Sequence, residues 1–543
     1  MMQILLRPGA NHWTGAGKSR IFEPSFRGLE HVGDFLPAAK TRAFFAGEKN
    51  PNMFLYSGRQ NTILLTLKNS FDFMKVEQLY TGCLAEAAYY IESDGEAAII
   101  DPLRETQPYV ERAALDGAKI KYVLETHFHA DFVSGHIDLA KKTGATIVFG
   151  PTAQPNFQAQ VAADGEELKV GKVTIKVLHT PGHTMESSSF LLRDENGKDV
   201  AVFTGDTLFI GDVGRPDLAV KTDLSREDLA GYLFDSLRNK IMTLADDVTV
   251  YPGHGAGSAC GKKMAKETES TIGLQKQFNY ALRADMTRAE FVKEVTTGLV
   301  DPPQYFPKNA VMNKMGYESI DVVLDRGMHA LSPREFVAVA EAENALILDT
   351  RHEKDFVRGY VPGSVFVGLE GQYASWVGTL ITDLKQPILL VCNPGSEEEA
   401  VIRLSRVGYD NTVGYLKGGF EAWKAAGKDV ETIESIDTNQ FIDRMKLGKK
   451  AVLDVRRKSE FDTEHILGAQ NFPLDFINRN MAELRRDVEY LVHCAGGYRS
   501  VIAISILKNR GFDNLVNMCG GFDEIKASGK VALSEYAEQG TEL

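Results

Sequence analysis

Four segments between residues 121 and 257 begin with apolar positions that alternate or run on, and each ends in a polar loop. They read KYVLETHFHAD, VTIKVLHTPGHT, DVAVFTGDTLF and VTVYPGHGAG. Short β-branched runs predict strands, and the polar ends, most of them rich in glycine, predict loops. Helical patterns separate these strands, so we predict an α/β domain whose polar residues collect at strand ends, where such folds build active sites.

The hydrophobic pattern also shows where this domain begins. Residues 1–73 have no clear period, whereas strand-like alternation starts at Met74 and Ser93-Asp94-Gly95 predicts a hairpin turn. We therefore assign the domain to residues 74–320. Residues 1–73 are expected to be an N-terminal extension, either poorly ordered or translated from an upstream start codon with Met74 as the true start.

The chain then repeats itself after a linker rich in Pro and Asn. ALILDTRHEKDFVRGYVPGSVFV, which starts at Ala345, parallels AVLDVRRKSEFDTEHILGAQNFPL, which starts at Ala451. LKGGFEAWKAAG likewise parallels MCGGFDEIKASG. A repeat of this length means two copies of one structural unit. We predict two α/β domains with one plan, at residues 329–430 and 435–535.

Composition narrows the classes of function that this protein can have. With 43% apolar and 25% charged residues the chain is typical of globular proteins, and its formal net charge of -13 disfavours nucleic acid and anionic membranes as partners. The five cysteines are scattered without CxxC pairs, which indicates a reducing compartment. No apolar run is long enough to span a membrane, and the N-terminus does not have the pattern of a signal peptide. We predict a cytoplasmic protein.

The polar strand ends carry the residue types that bind metals. HFHAD places two imidazoles and a carboxylate on alternate positions after a strand, so their side chains can converge. Three more such residues follow in PGHT, TGDT and PGHG. A single histidine is more often a satisfied polar residue than a ligand, but six such residues in strand-to-loop turns predict a metal site: His127, His129, Asp131, His183, Asp206 and His254.

HxHxD, PGHT, GDT and PGHG in this order resemble the metallo-β-lactamase superfamily, which implies an αββα sandwich. Binuclear members extend the motif to HxHxDH, but here Phe132 follows Asp131. This favours a single metal and a resemblance to the mononuclear iron members, the persulfide dioxygenases. That resemblance implies the ligands His127, His183 and Asp206.

Two imidazoles and one carboxylate form the facial triad of non-haem Fe(II) oxygenases, which leaves positions open for a thiolate and dioxygen. His129, Asp131 and His254 are then expected beside the ligands, where they orient them or hydrogen-bond to what the metal binds. The alternative is that they complete a zinc pair. Arg215, in the stretch TGDTLFIGDVGRPDL, is our candidate for binding an anionic thiol substrate, with an ion pair to Asp212 or Asp217 as the alternative.

The second repeat carries a reactive cysteine. Cys494-Ala-Gly-Gly-Tyr-Arg499 follows an apolar strand and precedes a helical run. A thiol below the backbone N–H groups of a helix start and beside a guanidinium has a stabilised thiolate. The CxxGxR loop resembles that of rhodaneses and implies that Cys494 and Arg499 are catalytic.

The first repeat lacks this chemistry. Its loop reads Cys392-Asn-Pro-Gly-Ser-Glu-Glu-Glu, acidic where the arginine should be. Glutamates beside a thiol raise its pKa and repel sulfite. We interpret this domain as a degenerate rhodanese that scaffolds or docks, with Cys392 inactive.

The whole architecture resembles bacterial persulfide dioxygenase–rhodanese fusions. It implies one Fe(II) per metal domain, a low-molecular-weight thiol persulfide and O2 as substrates, sulfite and thiosulfate as products, and thiosulfate sulfurtransferase activity at Cys494. It is compatible with a homo-oligomer. Two alternatives stay open: a zinc-dependent, glyoxalase-type thioester hydrolase with accessory rhodanese domains, and a sulfur carrier or sensor built around Cys494. The sequence leaves the carrier thiol and the direction of sulfur transfer undetermined.

Overall fold

The computed structural model describes residues 74–219, 224–447 and 450–537, and the backbone of three strands nearer the N-terminus. Those strands are β1 (Arg42–Phe45), β2 (Met53–Gly58) and β3 (Asn61–Thr66). The other residues of 1–73 lie outside the described residues. That residues 1–73 form an N-terminal extension therefore stays a prediction.

The metal domain contains two sheets. The first has nine strands in chain order and adds β4 (Lys75–Thr81), β5 (Glu86–Ser93), β6 (Glu96–Ile100), β7 (Lys119–Glu125), β8 (Thr146–Phe149) and β9 (Gln160–Val161). The second is β10 (Glu167–Val170), β11 (Val173–His179), β12 (Ser188–Arg193), β13 (Asp199–Gly205), β14 (Thr249–Pro252) and β15 (Ser270–Thr271). Sheet one is antiparallel from β2 to β6 and parallel from β6 to β9.

The sheets pack face to face because their strands alternate. In β11, Val173, Ile175 and Val177 point into the shared core while the residues between them face outward. β5 is buried on both faces: Tyr89 faces the other sheet, and Tyr90 packs under the helices outside. Those helices complete an αββα sandwich, as the motifs predict.

The outer helices pack on opposite faces. On the first sheet lie α1 (Gln107–Asp116) and α2 (His136–Thr143). On the second lie α3 (Arg226–Ser236), which continues into a π-helical turn at Leu237–Ile241, α4 (Ile272–Phe278) and α5 (Arg288–Thr296). Two linker helices follow, α6 (Phe306–Met315) and α7 (Ile320–Gly327).

The two repeats fold alike. The first is β16 (Ala330–Leu331), α8 (Pro333–Ala342), β17 (Leu346–Asp349), α9 (Glu353–Phe356), β18 (Val365–Phe366), α10 (Tyr373–Leu380), β19 (Ile388–Val391), α11 (Glu397–Ser405), β20 (Thr412–Leu416) and α12 (Gly419–Ala425). The second is β21 (Ser435–Ile436), α13 (Thr438–Met445), β22 (Lys450–Asp454), α14 (Lys458–Thr463), β23 (Gln470–Asn471), α15 (Ile477–Asn480), β24 (Glu489–His493), α16 (Tyr498–Asn509), β25 (Leu515–Met518) and α17 (Gly521–Ser528). Their sheets have equivalent orders, β16-β20-β19-β17-β18 and β21-β25-β24-β22-β23.

The three domains share one core. A single cluster of buried side chains includes Phe132 of the metal domain, Phe306 of α6, Phe366 of the first repeat and Ile504 of the second. Hydrogen bonds cross the same boundaries, for example from Val133 N to the Arg406 carbonyl. The exact domain limits stay predictions, but the domains pack directly against one another.

Candidate metal centre and sulfur-transfer loops

His127, His183 and Asp206 lie at the ends of β7, β11 and β13, and each offers one ligand atom within 4.8 Å of the others. All three are buried. His183 Nε2 is 3.4 Å from Asp206 Oδ2, and the rings of His127 and His183 are 4.9 Å apart and perpendicular. The structure thus brings together the three residues that the resemblance implies as ligands.

Hydrogen bonds at Nδ1 orient the imidazoles of His127 and His183. The Thr126 hydroxyl donates to Asp101 Oδ2 at 2.8 Å, so it accepts from His127 Nδ1 at 3.0 Å. His183 Nδ1 donates to the Arg215 carbonyl at 2.8 Å. With Nδ1 protonated in both rings, each Nε2 keeps its lone pair. Support of this kind behind the ring is usual for histidines that bind metals.

The carboxylate also fits a cation. Asp206 Oδ1 accepts from His254 Nδ1 at 2.8 Å, whereas the buried Oδ2 has no hydrogen-bond partner within the described part of the chain. A buried carboxylate oxygen without a partner is costly, and a metal ion between it and the two imidazoles removes that cost. Burial alone would raise the pKa of Asp206, but the histidines around it, His254 first, hold it well below its ordinary range.

His254 bridges two carboxylates. Its Nε2 lies 2.7 Å from Asp131 Oδ2 while its Nδ1 meets Asp206. Burial would lower the pKa of His254, but the two carboxylates prevail and raise it well above its ordinary value. Asp131, His254 and Cys260 also lie close enough to hold an ion, yet both nitrogens of His254 are already used by carboxylates.

His129 lies behind the ligands, as expected for it. Its Nε2 is 3.0 Å from Asp101 Oδ1 and 3.6 Å from Glu125 Oε2, and burial raises the pKa of Glu125 well above its ordinary range. The His129 ring lies between those of His127 and Phe132, with ring centroids 4.2 and 4.3 Å away and the planes tilted by 54° and 31°. Phe132 fills the place of a second-site histidine with a fully buried ring.

The Arg215 side chain is bound by groups of the protein itself. Its guanidinium meets both carboxylate oxygens of Asp217, at 2.7 and 2.6 Å, and the Ala259 and Val300 carbonyls. The geometry is that of the alternative ion pair, and the contribution of Arg215 to the centre is the carbonyl that holds His183. Its role in substrate binding remains a prediction.

Sequence reasoning missed two supports. Asp101 directly follows β6 and has φ 49°, a backbone conformation that residues other than glycine rarely adopt; its carboxylate accepts hydrogen bonds from both the N–H and the hydroxyl of Thr126. The sequence signal for this support was a polar residue directly after the apolar run AAII. Asn313 of α6 donates to the His129 and Phe132 carbonyls at 2.8 and 2.7 Å, and nothing local in the sequence announces that contact.

The second repeat holds Cys494 as its motif predicts. The buried Sγ accepts the Gly497 N–H at 3.1 Å and lies 3.8 Å from the Ser500 hydroxyl, below the start of α16. Arg499 makes two hydrogen bonds to Glu460, at 2.6 and 2.8 Å. The loop therefore offers one backbone donor to the sulfur, and its guanidinium is paired with a carboxylate.

In the corresponding loop of the first repeat, a nearby glutamate occupies the backbone N–H. The Gly395 N–H, which corresponds to that of Gly497, donates to Glu397 Oε2 at 2.7 Å. Burial, with Glu397, Asp349 and Glu399 adding to it, raises the pKa of Cys392 to about 12. Both observations support the interpretation that Cys392 is inactive.

Two family models match the chain. The Metallo-beta-lactamase superfamily model matches residues 81–254, and the Rhodanese-like domain model matches residues 332–426 and 437–528. Among the described residues, no helix is both long and apolar enough to cross a membrane.

Known proteins are similar over parts of the chain. The hydroxyacylglutathione hydrolase GloC of Haemophilus influenzae is 32% identical over 32% of this chain and 86% of its own length. The human mitochondrial persulfide dioxygenase ETHE1 is 30% identical over 29% of this chain and 59% of its own length. A crystal structure of a metallo-β-lactamase from Staphylococcus aureus is 30% identical, covers 64% of this chain and 99% of its own, and has a TM-score of 0.56. The chain therefore belongs to the metallo-β-lactamase superfamily and carries two rhodanese-like domains behind its metal-binding fold.

Proposed function

We propose that the metal domain is a non-haem Fe(II) persulfide dioxygenase that oxidises a low-molecular-weight thiol persulfide to sulfite, and that Cys494 couples this reaction to sulfur transfer. One observation carries the proposal. His127, His183 and Asp206 present free ligand atoms to one point, whereas His254 is held between two carboxylates and Phe132 offers no ligand atom. This favours one metal over a binuclear hydrolytic pair.

The reaction balances as RSSH + O2 + H2O → RSH + SO3²⁻ + 2H⁺. His127, His183 and Asp206 would hold Fe(II), which would supply binding of a thiolate and activation of dioxygen. The chain's own residues orient this ligand set: Thr126 and Asp101 hold His127, and His254 holds Asp206. The burial of the ligands excludes bulk water, which protects a reactive sulfur species from side reactions.

Cys494 supplies the second activity. As an enzyme persulfide it transfers its outer sulfur to sulfite, E–S–S⁻ + SO3²⁻ → E–S⁻ + S2O3²⁻. The Gly497 N–H, 3.1 Å from Sγ, stabilises the thiolate that leaves. The reverse direction, in which Cys494 delivers sulfur to a carrier thiol, uses the same contacts.

The rival function is zinc-dependent thioester hydrolysis. Hydroxyacylglutathione hydrolases are similar to this chain at an identity comparable to that of the persulfide dioxygenase. Two features oppose this rival: both nitrogens of His254 meet carboxylates, and the buried Phe132 offers no ligand atom.

Oxygen uptake tests the proposal. Anaerobically purified, Fe(II)-loaded protein is given glutathione persulfide, and sulfite and thiosulfate are quantified. We expect persulfide-dependent uptake that Asp206→Ala abolishes while thiosulfate:thiol sulfur transfer persists. Cys494→Ala is the reciprocal control: uptake persists and thiosulfate formation is lost. Stoichiometric zinc with thioester turnover, or unchanged uptake in Asp206→Ala, would contradict the assignment.

A further inference from the structure

One side of the first rhodanese-like domain packs against α16, the helix that begins directly after Gly497. The Phe366 N–H at the end of β18 donates to the Ser505 hydroxyl at 2.9 Å, and the Asn509 side chain donates to the Gly363 carbonyl at 2.6 Å. Phe366 and Ser505 are both buried. The middle and the end of α16 are therefore fixed to the other repeat.

The start of α16 reaches the same domain through Tyr498. The Tyr498 hydroxyl donates to the Gly368 carbonyl at 2.9 Å, and its ring meets that of Phe366 edge to face, with centroids 5.7 Å apart. Burial raises the pKa of Tyr498, so its hydroxyl stays a donor. Tyr498 directly follows Gly497, whose N–H donates to Cys494 Sγ. The contact with the first repeat is thus made by the neighbour of the residue that donates to the sulfur.

Residues 368–371 of the first repeat, which we call the Tyr498-binding segment, fit closely around that ring. A β-carbon built on Gly371 would lie 2.6 Å from both Cζ and the hydroxyl oxygen of Tyr498, and one on Gly368 would lie 3.1 Å from its Cε2. Neither glycine has a positive φ. The approach of the Tyr498 ring, and not the backbone conformation, therefore excludes a side chain at Gly371.

A buried arginine holds the Tyr498-binding segment from inside the first repeat. Arg403 of α11 donates to the Leu369 carbonyl at 2.5 Å and to the Gly371 carbonyl at 3.1 Å. It is also paired with Glu399 on the same helix, at 3.3 Å. Because α11 follows the Cys392 loop, the helix behind the inactive loop fixes the segment against which the active loop packs.

We propose that the first rhodanese-like domain positions the Cys494 loop of the second, and that Tyr498 is the positioning residue through which it acts. The Gly368 carbonyl fixes the start of α16, and this start aims the Gly497 N–H at the sulfur. The inactive repeat sets the geometry of the active loop without touching the substrate. The effect on sulfur transfer rests on the proposed function, whereas the effect on the loop does not.

Tyr498→Phe in the full chain tests the proposal, because it removes the hydroxyl and keeps the ring. Excess thiosulfate is mixed with the protein, and sulfite release is followed in a single turnover: S2O3²⁻ + E–S⁻ → SO3²⁻ + E–S–S⁻. We expect the saturating rate to fall about three- to fivefold, as for the loss of one hydrogen bond. The half-saturating thiosulfate concentration should stay unchanged, because Arg499 keeps its contacts with Glu460.

Tyr490→Phe is the matched control. Tyr490 lies on β24 of the second repeat and is buried, and its hydroxyl accepts the Arg485 N–H at 2.9 Å within that repeat. Loss of this hydrogen bond should lower Tm by an amount similar to that in Tyr498→Phe and leave sulfite release unchanged. Equal effects of the two variants on sulfite release would mean that Tyr498 acts through stability alone, and would overturn the proposal.

Gly371→Ala makes the same test from the first repeat. The added methyl group displaces the Tyr498 ring, so the saturating rate should fall at least as far as in Tyr498→Phe. Adding Gly371→Ala to Tyr498→Ala should cause no further loss, because the clashing ring is gone. An unchanged rate in Gly371→Ala, or the same loss in the presence and absence of the ring, would contradict positioning through Tyr498.

The positioning role and the sulfurtransferase assignment fail separately. Alkylation of Cys494 by iodoacetamide reports on the loop whether or not the protein transfers sulfur, and it should be slower in Tyr498→Phe but not in Tyr490→Phe, because the N–H that stabilises the thiolate has moved. Slower alkylation without sulfite release from the parent protein would remove the sulfurtransferase and support the positioning. Sulfite release with equal alkylation in both variants would support the sulfurtransferase and remove the positioning.

Discussion

Cys494 and Cys392 follow equivalent central strands, β24 and β19, of two sheets with equivalent orders. Around Cys494 the Gly497 N–H points at the sulfur. Around Cys392 the corresponding Gly395 N–H is occupied by a carboxylate from α11, and the pKa of the thiol rises to about 12, mainly through burial. A buried apolar sheet keeps one fold in both copies, while the loop after the central strand differs in what its glycine N–H contacts.

The two repeats also differ in their surroundings. The second loop offers a backbone donor to its cysteine, whereas residues within 393–406 of the first domain line a cavity that this domain shares with the metal domain. The first domain also contacts the metal domain through the Arg406 pair with Glu105.

Replacing the two cysteines gives the largest expected contrast. Cys494→Ser should lower thiosulfate:thiol sulfur transfer by at least about 10³-fold, because the nucleophile is lost. Cys392→Ser should leave the rate within experimental error. Steady-state assays on both variants measure this, and a comparable loss in Cys392→Ser would show that the first loop takes part in transfer.

Alanine substitutions at the two corresponding glycines distinguish an effect on stability from an effect on sulfur transfer. Gly497 has φ 101° and Gly395 has φ 91°, so alanine at either position costs about 1–2 kcal/mol of backbone strain. Both variants should melt several degrees lower. Only Gly497→Ala should also slow sulfur transfer, by about tenfold, because its N–H shifts away from Cys494 Sγ. Equal transfer rates in the two variants would contradict a role for that hydrogen bond.

Much of this arrangement is readable from the sequence, for local reasons. The hydrophobic pattern predicts an α/β domain, the resemblance implies its sandwich, and His127, His183 and Asp206 converge because each follows a strand end. The CxxGxR spacing places Gly497 under Cys494. What local patterns do not show depends on distant contacts: Asn313 reaches Phe132 across 181 positions, and the Arg215 side chain turns to Asp217 and the Val300 carbonyl. The ion pair of Arg406 with Glu105 forms only when two domains pack together.

A third test concerns the pH dependence of the Cys392 thiol. Since its pKa is about 12, alkylation of Cys392 in the native chain should stay slow and rise with pH up to at least pH 10. Glu397→Gln removes a negative charge, so the pKa falls and alkylation at a given pH becomes faster. Burial is the larger cause, so the pKa stays above its ordinary value.

Mass spectrometry of iodoacetamide-treated protein over a range of pH measures this effect. Glu398→Gln is the control, because Glu398 is exposed and the carboxylates that raise the pKa of Cys392 are Glu397, Asp349 and Glu399. Identical pH profiles in the parent and Glu397→Gln proteins would mean that burial alone controls the thiol.

The smallest expected effect concerns the guanidinium of the active loop. Glu460 holds Arg499 through two hydrogen bonds, and the pair is partly exposed, so its contribution is modest. Glu460→Gln should free Arg499 for an anionic acceptor and lower the KM for sulfite about two- to threefold with little change in kcat. Asp355→Asn, at the corresponding position of the first domain, is the control and should change neither parameter. A higher KM in Glu460→Gln would show instead that the carboxylate positions Arg499 for the acceptor, and Arg499→Lys would then raise KM as well because a lysine cannot form the paired contact.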